Sequence, residues 1–209
     1  MNPEKLQYGK FYHIYSHGVG MRNVFTEAEN YDFFLHLYDK YVEPIGKTYA
    51  WVLMPNHVHF AVQIKNEEEI AAFISDRVSN SVRDKNDKPL KIGTPSQQFA
   101  KLFNSYAQSY NKWVEARGSL FERPFKRKQV ENIQYLKRLI IYIHQNPVHH
   151  GFCSHPLEYP WSSYLTCTSD KATKLKRDEV IEWFGGKEEY EAWHKMKIDM
   201  ERIDWAMGV

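Results

Sequence analysis

The order of predicted strands and helices along the sequence is the feature that most restricts the possible folds of this chain. Four β-rich or alternating segments predict strands at residues 10–17, 49–54, 58–64 and 124–130. Apolar residues at three- and four-residue steps predict long helices at residues 27–41 and 96–116. The resulting order is strand, helix, strand, strand, helix, strand. It fits an α+β, ferredoxin-like (RRM-like) fold, in which helices lie on one face of an antiparallel sheet.

Further helical patterns define the organisation of the rest of the chain. They cover residues 67–78, 132–145, 178–184 and 187–206. Asn146-Pro147 is expected to end the helix at 132–145, because a proline disfavours helical geometry in the residue before it. Residues 84–95 are rich in Lys, Asp, Gly and Pro, which predicts a loop. We expect a domain over residues 1–150 and a C-terminal helical extension over 151–209, packed on or beside it.

The charge of the chain is small in total and uneven in distribution. The net charge of +2, with 43% hydrophobic and 26% charged residues, is typical of a soluble globular protein. Residues 83–128 carry eleven Lys or Arg against four Asp or Glu, whereas residues 176–209 carry six against nine. The basic middle of the chain indicates a face that attracts polyanions. The acidic C-terminal tail would not attract them.

Several classes of protein are disfavoured by the same composition. Cys153 and Cys167 form neither a disulfide framework nor a zinc-binding spacing. The N-terminal residues lack the apolar core of a signal peptide, and no apolar run reaches the roughly 20 residues that span a membrane. We therefore expect a cytoplasmic protein with no membrane partner.

Two histidines separated by one residue are the first candidate site. Side chains alternate across a strand, so His57 and His59 project from the same face of the strand at residues 58–64, while Val58 points the other way. Two imidazoles placed in this way can converge on one metal ion. Alone the pattern is weak, because a half-exposed sheet face also explains it and unrelated metal folds share it.

Several further motifs, in a fixed order along the chain, make the pattern more specific: LMPNHVHF at 53–60, SYAQSYN at 105–111, GSLFERPFK at 118–126, YIHQNPV at 142–148 and YPWSSY at 159–164. Together they resemble the motifs of the single-tyrosine HUH (His-hydrophobic-His) transposases, particularly the REP-associated tyrosine transposases. Phe121 stands where the family usually has Trp. The resemblance spans roughly residues 10–165 and leaves the tail uncovered.

The resemblance implies an enzyme that cuts and rejoins single-stranded or hairpin DNA. Mg²⁺ or Mn²⁺ would lie between His57 and His59, and a tyrosine would attack the scissile phosphate to give a 5′-phosphotyrosine and a free 3′-OH. Aligned on the family, Tyr106 takes the place of the nucleophile, and Tyr110, one turn further along, is the alternative. Packed core aromatics would show the same stripe.

The resemblance also implies further ligands and partners. Related enzymes place an amide side chain after the tyrosine as a third metal ligand, and Asn111 is the candidate, with Gln108 as the alternative. A homodimer associated with the bacterial nucleoid is expected. Basic residues after the tyrosine helix are candidate phosphate contacts, although a solvated basic surface explains them equally well: Arg117, Arg123, Lys126, Arg127 and Lys128.

Other interpretations of the sequence stay open at this point. A protein of the same fold that binds DNA hairpins without cleaving them would share most of the motifs. A metal phosphoesterase that uses His57 and His59 to activate water would need no tyrosine. His144, His149 and His150 are expected to be helix and surface-turn residues and not a second metal site.

Overall fold

A computed structural model describes residues 5–80 and 92–195 of the chain. Its sheet has four strands: Phe11–His17 (β1), Gly46–Met54 (β2), His57–Ile64 (β3) and Lys126–Val130 (β4). All neighbouring strands are antiparallel, in the order β2-β3-β1-β4. The predicted α+β class with an antiparallel sheet is confirmed.

Helices make up most of the remainder of the described residues. They are Ala28–Tyr41 (α1), Glu67–Asn80 (α2), Pro95–Trp113 (α3), Ile133–His149 (α4), Tyr164–Thr168 (α5), Arg177–Phe184 (α6) and Lys187–Lys195 (α7). The loop predicted at 84–95 falls mainly, and the end of the helix predicted at 187–206 falls entirely, outside the described residues. Within the described ranges no helix is long and apolar enough to cross a membrane.

The two faces of the sheet are covered by different helices. On the face here called the first face, Phe60 of β3 packs against Phe34 of α1, and Tyr106 of α3 joins the same buried cluster. Alternate strand residues, such as Val52 and Ala61, point to the second face and pack with α4. As expected, α1 and α3 share one face of the sheet, and α4 in addition covers the second.

Helix α4 also runs further than its sequence predicts. It continues through Pro147 to His149, so Asn146 lies inside the helix and not in a turn after it. A proline removes one backbone donor, and near the end of a helix that loss concerns only the last turn. The extension matters for the site, because it keeps Asn146 one helical turn after Tyr142 on the same side of α4.

The C-terminal helices complete the cover of the second face. Tyr164 of α5, Phe184 of α6 and Tyr190 of α7 belong to the same cluster of buried residues as Leu139 and Ile143 of α4. The C-terminal helices therefore pack against α4 and also against the sheet, where Trp183 of α6 stacks on Tyr49 of β2 with ring centroids 4.8 Å apart.

Candidate functional site

The second face of the sheet gathers histidines from two neighbouring strands. The register of β1 and β3 places His17 opposite His57 and Tyr15 opposite His59. The ring centroids of His57 and His59 are 5.0 Å apart, and those of His17 and His57 are 5.1 Å apart. We call this group the histidine site; it consists of His13, Tyr15, His17, His57 and His59.

Helix α4 supplies two side chains from above the sheet. The Oδ1 atom of Asn146 lies 2.8 Å from Nε2 of His57. The ring of Tyr142 stands almost perpendicular to that of His59, with their centroids 5.4 Å apart, and its side chain is only 3% exposed. Because Tyr142 and Asn146 are four residues apart, they face the same way from the helix. A tyrosine, an amide and two histidines therefore meet in one place.

His13 fixes one nitrogen of His59. Nε2 of His13 lies 2.9 Å from Nδ1 of His59, and both rings are buried. This contact engages Nδ1 of His59 and leaves Nε2 as the nitrogen for another partner. Nδ1 of His13 has no hydrogen-bond partner within residues 5–80 and 92–195. The hydrogen-bonding atoms of the histidine site are thus only partly satisfied by the protein itself.

The pair formed by His57 and Asn146 fits a divalent ion. Nε2 of His57 and Oδ1 of Asn146 are 2.8 Å apart, close to the roughly 3 Å between adjacent ligands of an octahedral ion with bonds of about 2.1 Å. The described residues hold no group of three or more His, Cys, Asp or Glu side chains that could bind a metal. Two imidazoles and one amide oxygen would therefore need further oxygens from phosphate or water, and the nitrogen ligands favour Mn²⁺ over the harder Mg²⁺.

Burial keeps the imidazoles of the site neutral. It lowers the pKa of His57 to about 4 and that of His13 to about 3. The pKa of His59 is lowered well below its usual value, first by burial and then by the neighbouring histidines. Because a neutral imidazole retains one lone pair, these rings can act as metal ligands at neutral pH.

Two lysines of the edge strand flank the histidine site. In the register of β1 and β4, Lys128 lies opposite His13 and Lys126 opposite Tyr15, so both side chains leave the sheet on the second face. After the larger effect of burial, the charge of Lys128 contributes to lowering the pKa of His13. Lys126 acts in the same direction on the pKa of His17, where the charge of Glu122 opposes it more strongly. A phosphate group at the histidines would meet this positive charge.

The predicted nucleophile lies elsewhere. Tyr106 is fully buried on the first face, where its hydroxyl donates to the backbone oxygen of Val24 at 2.6 Å. Tyr110, the alternative, is stacked beside it in the same cluster. The sheet separates both tyrosines from His57 and His59, so the predicted attack by either one does not fit this arrangement. The apolar stripe of α3 is a core stripe.

The predicted third metal ligand also lies away from the histidine site, because it too belongs to α3. Asn111 lies on α3, and its Nδ2 atom donates to the backbone oxygen of Gly118 at 2.8 Å. Gln108 is exposed on the same helix. The structure brings neither amide to the histidine site, and the amide found there belongs to Asn146.

The predicted phosphate contacts do not form one group. Lys126 and Lys128 lie beside the histidine site, as described above. Arg127 points to the first face, where its Nη1 atom donates to Ser96 at 2.9 Å. Arg123 is exposed, with Nη2 donating to Asn104 at 3.0 Å, and Arg117 is exposed in the segment after α3.

Sequence reasoning missed Tyr142 and Asn146 as site residues, although it singled out their motif. A four-residue spacing on an amphipathic helix places two side chains on one face, and this signal would have paired them. It also predicted only a surface turn for His150, whose ring centroid lies 5.2 Å from that of His57. The contribution of His13 had no local signal, because only strand register brings it to His59.

Comparison with known proteins gives a structural likeness. No family model matches the chain, and no curated protein matches its sequence. The fold is similar to that of a REP-associated tyrosine transposase whose structure was solved with a bound REP hairpin. The two chains are 13% identical, the match covers 81% of this chain and 86% of that one, and the TM-score is 0.57. At this identity the likeness concerns the fold.

Proposed function

We propose that this protein is a DNA strand transferase that cleaves and rejoins single-stranded or hairpin DNA through Tyr142. The observation that carries the proposal is the convergence of Tyr142 and Asn146 of α4 on His57 and His59 of β3. A potential nucleophile, a set of neutral ligands and two flanking lysines share one face of the sheet.

The structural likeness supports DNA as the partner. The similar protein holds a DNA hairpin, and this chain has the same fold over most of its length. Lys126 and Lys128 add positive charge beside the histidines, where a phosphodiester backbone would lie. A homodimer and a place at the nucleoid remain predictions, and light scattering with and without DNA tests the first.

The site residues would share the work of phosphoryl transfer. A divalent ion held by His57, His59 and Asn146 would polarise the scissile phosphate as a Lewis acid. His13 would orient the ring of His59 through the contact at Nδ1. Lys126 and Lys128 would hold the DNA backbone against the sheet by charge alone.

Tyr142 would carry the covalent step. As its Oη atom bonds to phosphorus, the bond from phosphorus to the 3′ oxygen breaks, leaving a 5′-phosphotyrosine. The tyrosine proton passes to water, because His59 would hold the ion through Nε2 and share its Nδ1 proton with Nε2 of His13. The departing 3′ oxygen takes up a proton and becomes a hydroxyl. Because the phosphodiester is conserved in the covalent link, another 3′-OH can reverse the step and join new ends.

A paired substitution tests the assignment of the nucleophile. Tyr142→Phe should abolish the covalent protein–DNA adduct, because phenylalanine has no oxygen with which to attack. Tyr106→Phe is the matched control; it should keep the adduct and lose only about 1 kcal/mol of stability, the usual value of a buried hydrogen bond. The adduct is measured on a denaturing gel, with Mn²⁺ and a hairpin oligonucleotide selected from a randomised pool and interrupted by a nick.

The outcomes separate this proposal from the two other interpretations. An adduct that survives Tyr142→Phe and disappears in Tyr106→Phe would return the role to α3. Hairpin binding without an adduct in the unmodified protein would indicate a binding protein that does not cleave, a result that the burial of Tyr142 would explain. Cleavage to a free 5′-phosphate in both variants would indicate a phosphoesterase that uses water.

A further inference from the structure

A cleft on the first-face side of the molecule lies outside the histidine site. It has a volume of about 430 Å³, in the range of ligand-binding pockets, and it opens between α3 and residues 121–127. Helix α3 lines it with Ser96, Ala100, Phe103, Asn104 and Ala107. The facing segment lines it with Phe121, Glu122, Arg123, Pro124, Phe125 and Arg127.

The cleft combines an apolar floor with flat cationic groups. Phe103, Phe121 and Phe125 are largely buried and form its base. The guanidinium of Arg127 lies over the ring of Phe125, 3.9 Å from the centroid, and a hydrogen bond to Ser96 holds it there. On the wall formed by α3, the small side chains of Ala100 and Ala107 leave the space of the cleft open.

Polar groups stand at the mouth of the cleft. Arg123 donates to Asn104 at 3.0 Å across the opening, and Glu122 also lines the cleft. Amide, carboxylate and guanidinium groups are those that recognise the hydrogen-bonding edges of nucleobases. A flat, aromatic and cationic interior bordered by such groups is suited to a planar heterocycle that carries a phosphate.

The cleft is close to the histidine site along the chain. The backbone nitrogen of Glu122 donates to the backbone oxygen of His17 at 2.8 Å, and the ring of His17 lies 5.1 Å from that of His57. Residues of β4 then alternate, with Arg127 on the side of the cleft and Lys126 and Lys128 on the side of the histidines. A DNA strand that crosses the β4 edge of the sheet would meet positive charge on both faces.

We propose that the cleft binds one unstacked base of the single-stranded DNA that flanks the cleaved phosphate. This inference rests on the proposed function and adds a site that selects the unpaired flank. The base lies over the Phe125–Arg127 pair, its edge meets Asn104, and its phosphate meets Arg123.

The test compares abasic substitutions in two forms of the protein. The probe is a DNA hairpin with an unpaired flank, selected from a randomised pool, in which each flank base is removed in turn. In the unmodified protein, one abasic position should weaken binding roughly tenfold to a hundredfold, the usual loss for one stacked base. In Ala100→Trp, which fills the cleft, binding of the intact probe should already be weaker by this factor, and the abasic position should cost nothing more.

Matched variants keep the result interpretable. Ala72→Trp adds the same side chain on the exposed surface of α2, and Lys101→Ala removes a charge from α3 outside the cleft, so both should bind like the unmodified protein. Asn104→Trp, at an exposed position that lines the cleft, repeats the test if Ala100→Trp is unstable. An equal abasic penalty in the unmodified protein and in a variant with a filled cleft, with hairpin binding retained, would overturn the inference. Loss of hairpin binding by the unmodified protein would instead overturn the proposed function.

Discussion

Two clusters of buried histidines share helix α4, and they differ in how completely their hydrogen-bonding capacity is used. Tyr142 and Asn146 face the histidine site on the sheet. His144, between them in sequence, faces the C-terminal helices and forms a second group, here called the core cluster, with Ser163, Tyr190 and His194.

The core cluster forms a complete chain of donors and acceptors with neutral rings. The hydroxyl of Ser163 donates to Nε2 of His144 at 2.7 Å, and Nδ1 of His144 donates to Nε2 of His194 at 3.0 Å. Nδ1 of His194 then donates to the backbone oxygen of Tyr190 at 2.7 Å. Every ring nitrogen has a partner of the required kind, as expected of a structural network.

In the histidine site, the chain of hydrogen-bond donors and acceptors is incomplete. Nδ1 of His13 has no partner within the described parts of the chain, and both nitrogens of His57 face amide groups, those of Asn56 and Asn146. Burial lowers the histidine pKa values in both clusters, so a lowered pKa does not distinguish them. Unused polar capacity next to Lys126 and Lys128 does distinguish them, and it makes the histidine site the candidate for ligand binding.

The pH dependence of stability should be the largest effect, and it arises in both clusters. Burial lowers the pKa of His194 to about 4 in the folded chain, against 6.5 for an unperturbed histidine. As pH falls, the unfolded chain therefore takes up protons first, and stability present above pH 6.5 is lost as the pH falls towards 4. We expect His194 alone to contribute about 3 kcal/mol over this window.

Urea unfolding across that pH range measures the effect. His194→Phe should reduce the loss of free energy of unfolding on acidification, whereas His149→Ala, at an exposed position, should leave it unchanged. A free energy of unfolding that stays constant or rises as the pH falls would contradict the neutral core cluster.

A substitution of His13 separates the clusters by function. His13→Leu removes the contact that orients His59, and loss of such an outer contact usually lowers metal affinity by roughly ten- to a hundredfold. Calorimetric titration with Mn²⁺ measures the change, and circular dichroism checks that the fold persists. Unchanged Mn²⁺ affinity would show that His13 does not position a metal ligand.

The reciprocal substitution in the core cluster should have the smallest effect. Ser163→Ala removes the donor to His144 and the acceptor for the backbone nitrogen of Trp51, which lie at 2.7 and 2.8 Å. We expect a loss of roughly 1–2 kcal/mol in the free energy of unfolding with Mn²⁺ affinity unchanged. If Mn²⁺ affinity falls as well, the two clusters are coupled through α4 and the distinction between them fails.

Much of the fold followed from local patterns. The alternation after Pro55 located β3 and placed His57 and His59 on one face, and the apolar stripes located α1 and α3 within a few residues. The order of strands and helices indicated the antiparallel α+β sheet. Each of these conclusions depends on contacts within one element, which a short stretch of sequence records directly.

The composition of the site was decided by tertiary structure. An apolar stripe shows that one side of a helix is buried, but it does not state against which face of the sheet. Tyr106 and Tyr142 both lie on such stripes; packing placed Tyr106 in the first-face core and Tyr142 over the histidines. Strand register likewise brought His13 to His59 across a separation of 46 residues, which no local pattern encodes.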